Sequence, residues 1–204
     1  MISICVGTRN RSTSLLTNLI PSLNKCKLKK DIALSICNCH SDDIPNLESR
    51  IRKLWRGKLY YTNSKTKFTR SSSLNIAVRQ SKEPILFICD CDISVPDNLV
   101  ELMTKNITLN RVWYPICFSL YVNRPKIIQE DNGKWRRLGF GIVGIHRKKF
   151  NAMKGYSETF KEWGGEDTYM YKSTTGTIIR SQCEGLFHNW HPEDLEYKNR
   201  YYNT

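Results

Sequence analysis

Ile85-Leu86-Phe87-Ile88-Cys89-Asp90-Cys91-Asp92, followed four residues later by Pro96, decides the fold of this chain. The apolar run 85–89 reads as a strand buried on both faces, as in a parallel sheet covered by helices. Pro96 is expected to open the next helix, where its missing N–H costs nothing. On the amino side, Ser71 to Ser81 reads as a helix and Leu59-Tyr60-Tyr61 as a short strand. Before them, Asn46 is expected to cap a helix bearing Leu47, Ile51, Leu54 and Trp55. A strand at 32–38, a helix from Ser12 to Lys25 and a strand at 2–7 complete the pattern. Strand and helix alternate four times over about 110 residues, which predicts an α/β fold with a mostly parallel central sheet flanked by helices.

In such a sheet, ligands bind beyond the carboxyl ends of the strands. Asp90 and Asp92 stand at that edge, one residue apart and able to face one crevice. Paired carboxylates suit Mg²⁺ or Mn²⁺ that also holds a diphosphate. A second ligand set is His188-Asn189-Trp190-His191, whose spacing brings two imidazoles to one side of a turn. Aspartates and histidines together favour a mixed oxygen and nitrogen site, better suited to Mn²⁺ than to Mg²⁺. His40 and His146 read as ordinary loop histidines.

Beyond residue 110 the pattern changes. Val112 to Tyr121 is strand-like, Asn123 to Arg137 is a polar basic loop, and Gly139-Phe140-Gly141 leads into an apolar run to Ile145. Trp163-Gly164-Gly165-Glu166-Asp167 then delivers two carboxylates to a helix start, with Met170 and Tyr171 following at helical spacing. The helix dipole there favours ionised acids. The plain alternative is two acids that merely improve a helix start. The tail from Pro192 to Thr204 reads as a surface strap or a frayed end.

Length and composition bound the rest. The 204 residues, 40% hydrophobic, suit one domain. Lys and Arg number 32 against 19 Asp and Glu, a net charge of +13 that attracts phosphates, polyanions or anionic membrane surfaces. Zinc-finger spacing and aromatic-basic RNA motifs are absent from the sequence, so nucleic acid is a runner-up and not an expected partner. No run is long enough to span a bilayer, which predicts a soluble protein with at most peripheral membrane contact. The eight cysteines include Cys37-Asn38-Cys39 and Cys89-Asp90-Cys91, too closely spaced for a usual zinc knuckle, and are expected as buried, reduced thiols.

Four segments come in an order that resembles family-2-like GT-A glycosyltransferases over nearly the whole chain: Ile2 through Arg11, Phe68 through Asn75, the strand ending Asp90-Cys91-Asp92, and Trp163 through Asp167. Gly139 through Gly144, with Phe150 and Gly155-Tyr156, is similar to the carboxyl-terminal region of β1,4-galactosyltransferases and chondroitin N-acetylgalactosaminyltransferases. The resemblance implies a single transferase domain, with residues 1–110 as a nucleotide-sugar half and 111–204 as an acceptor and catalytic half, and an inverting transfer of a hexose or N-acetylhexosamine from a nucleotide sugar, with UDP expected, to a saccharide hydroxyl. It assigns Thr8, Arg9 and Asn10 to base and ribose, Asp90 to the ribose or sugar, and Arg70 and Asn75 to the diphosphate and donor sugar. Asp92 would bind the metal, completed by His191 with His188 as a possible second ligand. Asp167 would be the general base, Glu166 a sugar contact, Trp163 the ring closing over the sugars, and Gly164 and Gly165 the space for them.

The sequence also departs from that pattern. A cysteine stands where the base-reading acid is expected, and acids follow only at Asp42 and Asp43, which are carried as donor contacts. Thr168 replaces a third acid, and neither anchor nor stem is present, which leads to the expectation of a cytoplasmic microbial or viral relative or one domain of a longer enzyme. The alternative function is a noncatalytic sugar-nucleotide-binding or basic nucleic-acid-binding protein on the same scaffold. Sugar, acceptor and oligomeric state stay open.

Overall fold

The computed structural model describes residues 1–160 and 164–192. Helices and strands alternate through the first half in the expected order. β1 (Ile2–Thr8) is followed by α1 (Ser12–Ser14), a π-helical turn (Leu15–Leu19), α2 (Ile20–Asn24) and β2 (Ile32–Asn38). Next come α3 (Leu47–Leu54), β3 (Lys58–Asn63), α4 (Arg70–Gln80), β4 (Ile85–Ile88), β5 (Ile93–Ser94) and α5 (Leu99–Asn106). The second half holds β6 (Arg111–Trp113), β7 (Ile116–Leu120), β8 (Gly133–Trp135), β9 (Val143–His146), α6 (Arg147–Ala152), α7 (Glu166–Ser173), β10 (Thr177–Ile179) and β11 (Gln182–His188).

Two sheets result. The larger has the order β10-β6-β9-β4-β1-β2-β3, and the smaller β5-β11-β7-β8. β1 pairs in parallel with β2 and β4, and β2 with β3, while β9 inserts antiparallel between β4 and β6. Alternation along β1 splits the core. Ile2, Ile4 and Val6 join Leu15, Leu19, Leu23, Ile51 and Leu99 on one face, and Cys5 joins Leu74, Ala77, Leu86 and Ile88 under α4 on the other. Gly7 permits that close packing, since a Cβ there would collide with Ser73 of α4.

Several expectations need correction. The helix from Ser12 is interrupted by the π turn at Leu15–Leu19, just before Pro21. Proline cannot donate to the carbonyl four residues back and crowds it, which locally widens the helix. Asn46 precedes α3 but sits in the left-handed region at φ 55°, and its side chain makes no cap bond. Pro96 does not open α5. Residues 96–98 form a turn held by the Lys27 N–H on the Asp97 carbonyl at 2.9 Å, and the helix begins at Leu99. The stretch 112–121 is two strands, because Pro115 has no N–H to continue a ladder and the chain passes there from the larger sheet to the smaller. Part of the supposed loop 123–137 is strand β8, whose Trp135 packs edge-on against Phe118 at 5.3 Å.

All eight cysteines are buried free thiols. No helix among the described residues is long and apolar enough to cross a membrane.

Candidate functional site

The metal-site geometry grows from the junction of the two sheets. β4 ends at Ile88, the chain turns through Asp90 and Asp92, and β5 pairs with β11 so that His188 lies opposite Ile93. This register brings His188 and His191 to Asp92: the Nε2 atoms lie 3.8 and 3.1 Å from Asp92 Oδ2. One ligand atom from each of the three residues falls within 4.8 Å of the others. Each imidazole has its Nδ1 occupied elsewhere, His188 on Ser119 Oγ at 3.2 Å and His191 on the Pro192 carbonyl at 3.0 Å. Such outer partners orient the ring and turn Nε2 inward. Asp92 Oδ1 is buried without a hydrogen-bond partner among the described residues, an orphan that a cation would satisfy.

Electrostatics agree. Burial opposes ionisation of Asp92, but the His191 hydrogen bond and the charges of His188, His191 and Arg11 outweigh it and hold the carboxyl below its usual range. The bond to Asp92 raises His191, whereas burial lowers His188 and keeps its ring a neutral donor of electrons. A carboxylate oxygen with two imidazole nitrogens is a donor set for a transition-series divalent cation.

Asp90 takes a different partner. Arg70, the first residue of α4, donates from Nε to Asp90 Oδ1 at 2.8 Å, from Nη1 to Glu166 Oε1 at 3.1 Å and from Nη2 to the Gly141 carbonyl at 2.7 Å. One guanidinium therefore joins the β4 edge, the start of α7 and the 139–142 loop. Glu166 is only 4% exposed, and its second oxygen is buried without a hydrogen-bond partner among the described residues. Asp167 beside it is half-buried and accepts the Thr168 N–H on Oδ1 at 2.7 Å. Gly164 and Gly165 carry φ of 94° and 89°, left-handed values that favour glycine, and nothing among the described residues lies within 4 Å of where a Gly164 Cβ would be.

The family model described as Chondroitin N-acetylgalactosaminyltransferase matches residues 4–201. The chain belongs to that family. Among chondroitin N-acetylgalactosaminyltransferase relatives, the human chondroitin sulfate N-acetylgalactosaminyltransferase 2 is 31% identical over 144 residues, 61% of this chain and 27% of that protein. A mouse N-acetyl-beta-glucosaminyl-glycoprotein 4-beta-N-acetylgalactosaminyltransferase 1 is 25% identical over 159 residues, 74% of this chain and 15% of that protein. The matched segments thus span about a quarter or less of these relatives' length. Among solved structures, S. aureus TarS 1-349 in complex with UDP-GlcNAc superposes with a TM-score of 0.74 at 13% identity, over 95% of this chain and 59% of that one. The mannosyltransferase PcManGT from Pyrobaculum calidifontis, in complex with GDP-Man and Mn²⁺, gives 0.67 at 10% identity, over 98% of this chain and 59% of that one. The fold is the GT-A glycosyltransferase fold anticipated from the motif order.

Within this family domain, other sequence-assigned residues have structural duties. Asn75 is buried in α4, its amide donating to the Tyr156 carbonyl and Glu158 Oε1, both at 2.9 Å, and accepting the Tyr156 N–H at 3.0 Å. It therefore fastens the 156–158 turn with both ends of its amide. Asp43 receives the Ser12 N–H at 2.8 Å and its hydroxyl at 2.7 Å, anchoring the first helix. Thr8 is buried with its hydroxyl toward Cys91 Sγ. Arg9 and Asn10 are exposed, and Asn10 Oδ1 accepts the Asp42 N–H at 3.0 Å. Asp42 lines a cleft of about 900 Å³ at the carboxyl ends of β2 and β3, with Asn38, Tyr61 and Asn63. Trp163 lies outside the described residues, as does the tail after Pro192.

Sequence reasoning missed Asn189, which sits unassigned between the two histidines. Its backbone and side-chain N–H groups both reach the Asp92 carbonyl, at 2.9 and 2.6 Å, and its amide reaches Ser94 Oγ at 3.0 Å. It also missed Ser119, whose only signal was its place on a strand.

Proposed function

We propose that this chain is the catalytic domain of an inverting N-acetylhexosaminyl- or hexosyltransferase that uses a UDP-sugar and a divalent cation, with Mn²⁺ preferred, to glycosylate a saccharide hydroxyl. The convergence of Asp92, His188 and His191 into one three-ligand cluster, in a domain that also carries Asp167 in the first turn of α7, is the observation that carries this reading. The names of the relatives, N-acetylgalactosaminyltransferases, support the sugar class. UDP-GlcNAc in one fold neighbour, and GDP-Man with Mn²⁺ in another, support the donor type and the ion.

In this reading Asp92, His188 and His191 hold the cation, which when bound neutralises charge on a departing diphosphate. Arg9, Asn10 and Asp42 lie toward the nucleoside, and Asp90 toward the ribose or sugar. Asp167 takes the proton of the acceptor hydroxyl as that oxygen attacks the anomeric carbon. One displacement inverts the configuration, so no carboxylate nucleophile is required. Glu166 contacts a sugar through its second oxygen, and the Gly164-Gly165 turn leaves room for the ring. The eight buried, unpaired thiols support a reducing, cytoplasmic setting.

The test is a panel of UDP-sugars with saccharide acceptors and Mn²⁺, with product configuration read by NMR. A β-linked product from an α-linked donor is expected. Retention of configuration would replace the mechanism, and absence of both transfer and donor binding across the panel would overturn the function.

A further inference from the structure

Among the described residues, three of the segments that carry the chain between the two sheets lie close together: Tyr114-Pro115 between β6 and β7, residues 136–142 between β8 and β9, and Arg180-Ser181 between β10 and β11. The side chain of Arg180, which stands at the third crossing, reaches both of the others. Its Nη1 donates to the Tyr114 carbonyl at 3.4 Å, and its Nη2 to the carbonyls of Arg137 and of Gly139, the latter at 3.1 Å. The guanidinium plane also covers Phe140, with Cζ 4.5 Å from the ring centroid, and Phe140 stacks on Tyr171 at 4.0 Å and 20°. Tyr171 lies one helical turn beyond Asp167 on α7, so the two share a face. The same 137–141 loop is gripped at its other end by Arg70 through the Gly141 carbonyl.

We infer that Arg180 is a positioning residue for the transfer reaction: through the 137–141 loop and the Phe140–Tyr171 stack it sets α7, and with it Asp167, against the sheet junction that carries Asp92 and His188. This rests on the proposed transferase site. Arginine suits the task because a planar fork can receive several carbonyls while its face lies on an aromatic ring. Lysine keeps the charge but offers neither the fork nor the flat face. A displacement of the base helix would lower turnover steeply, because reacting groups must be held in a near-attack geometry. The proposed donor and metal contacts lie just after β1 and β2, on the turn after β4, and at and just after the end of β11, away from α7 and the 137–141 loop, so they should be spared.

The experiment compares Arg180→Lys, Phe140→Leu and the double variant with the wild-type chain in three measurements: kcat, the dissociation constant of UDP with Mn²⁺, and hydrogen exchange. Arg180→Lys should lower kcat by roughly 10- to 100-fold while that dissociation constant stays within about twofold. Phe140→Leu should act in the same direction, and the double variant should be less impaired than the product of the two single effects. Exchange should accelerate in 137–141 and 166–173 and not in β1 or β4. Wild-type kcat in Arg180→Lys, a parallel loss of UDP binding, or acceleration spread over the whole sheet would overturn the inference. If the wild-type chain transfers no sugar, the transferase reading fails, and unchanged exchange in α7 would separately refute the role of Arg180.

Discussion

Arg70 and Glu166, 96 residues apart in sequence, meet as a largely buried ion pair at 3.1 Å, and this contact fastens the start of α7 to the start of α4. A buried carboxylate tolerates its charge only while it is paired. Arg70→Met should therefore destabilise the fold by roughly 3 kcal/mol, the order found when one member of a buried pair is removed. Glu166→Gln in the Arg70→Met background should recover part of that loss, as read by urea unfolding. Additive losses would show that the pair is not coupled.

Asp92 is clamped through its backbone by Asn189 and through its carboxylate by His191. Asn189→Ala should weaken Mn²⁺ binding by about 10- to 100-fold, as loss of an outer-shell support does. Asp92→Asn should weaken it more than either histidine variant. Because metal binding requires deprotonated ligands, affinity should fall with falling pH. The decline should begin above the ordinary histidine value, since Asp92 raises His191. Calorimetric titration across pH measures both effects, and a pH-independent affinity would remove His191 from the ligand set.

Glu83 gives the fold a distinct pH dependence. Its carboxylate is 4% exposed and receives the hydroxyl of Ser3, Lys58 Nζ at 2.9 Å and the Lys82 N–H at 3.1 Å. Burial alone would raise it, but these bonds prevail and hold it at about 2. A folded value below the unfolded one stabilises the protein above the unfolded value and is lost as pH falls through the folded one. The contribution is about 3 kcal/mol, complete near neutrality and disappearing from roughly pH 4.5 down to pH 2. Chemical denaturation of Glu83→Gln should show a correspondingly flatter acid limb, and an unchanged limb would contradict the assignment.

Gly165 separates conformation from space. Its φ of 89° disfavours any side chain, and a Cβ would also press on the Phe160 ring at 3.0 Å. Gly165→Ala should cost about 1–2 kcal/mol in thermal or urea unfolding. At Gly164, with the same backbone demand and no described atom within 4 Å of its Cβ position, alanine should cost less than at Gly165. Equal costs would mean that Phe160 yields freely.

Much of this was legible in the chain because it is local. The apolar run Ile85–Cys89 and the acids that follow mark a sheet edge, and two glycines before Glu166-Asp167 mark a helix entered by a left-handed turn. Other features depend on partners far away in sequence. Asn75 looks like a donor contact until Tyr156, 81 residues on, consumes its amide. Asp43 looks like a donor contact until Ser12 reaches both its oxygens. Pro115 signals a break but not that the break changes sheets, and nothing around Arg180 reveals that its fork meets two other crossings. The histidine pair was visible, yet its register depends on the pairing of β11 with β5 and β7, two short ladders with no local signature.

The most direct test of the account is turnover by Asp167→Asn beside its affinity for UDP with Mn²⁺. The account predicts a loss of kcat of roughly 10²- to 10⁴-fold with donor affinity unchanged, as expected when a general base is removed from an intact site. Turnover close to that of the wild-type chain, or a loss of donor affinity equal to the loss of turnover, would contradict it.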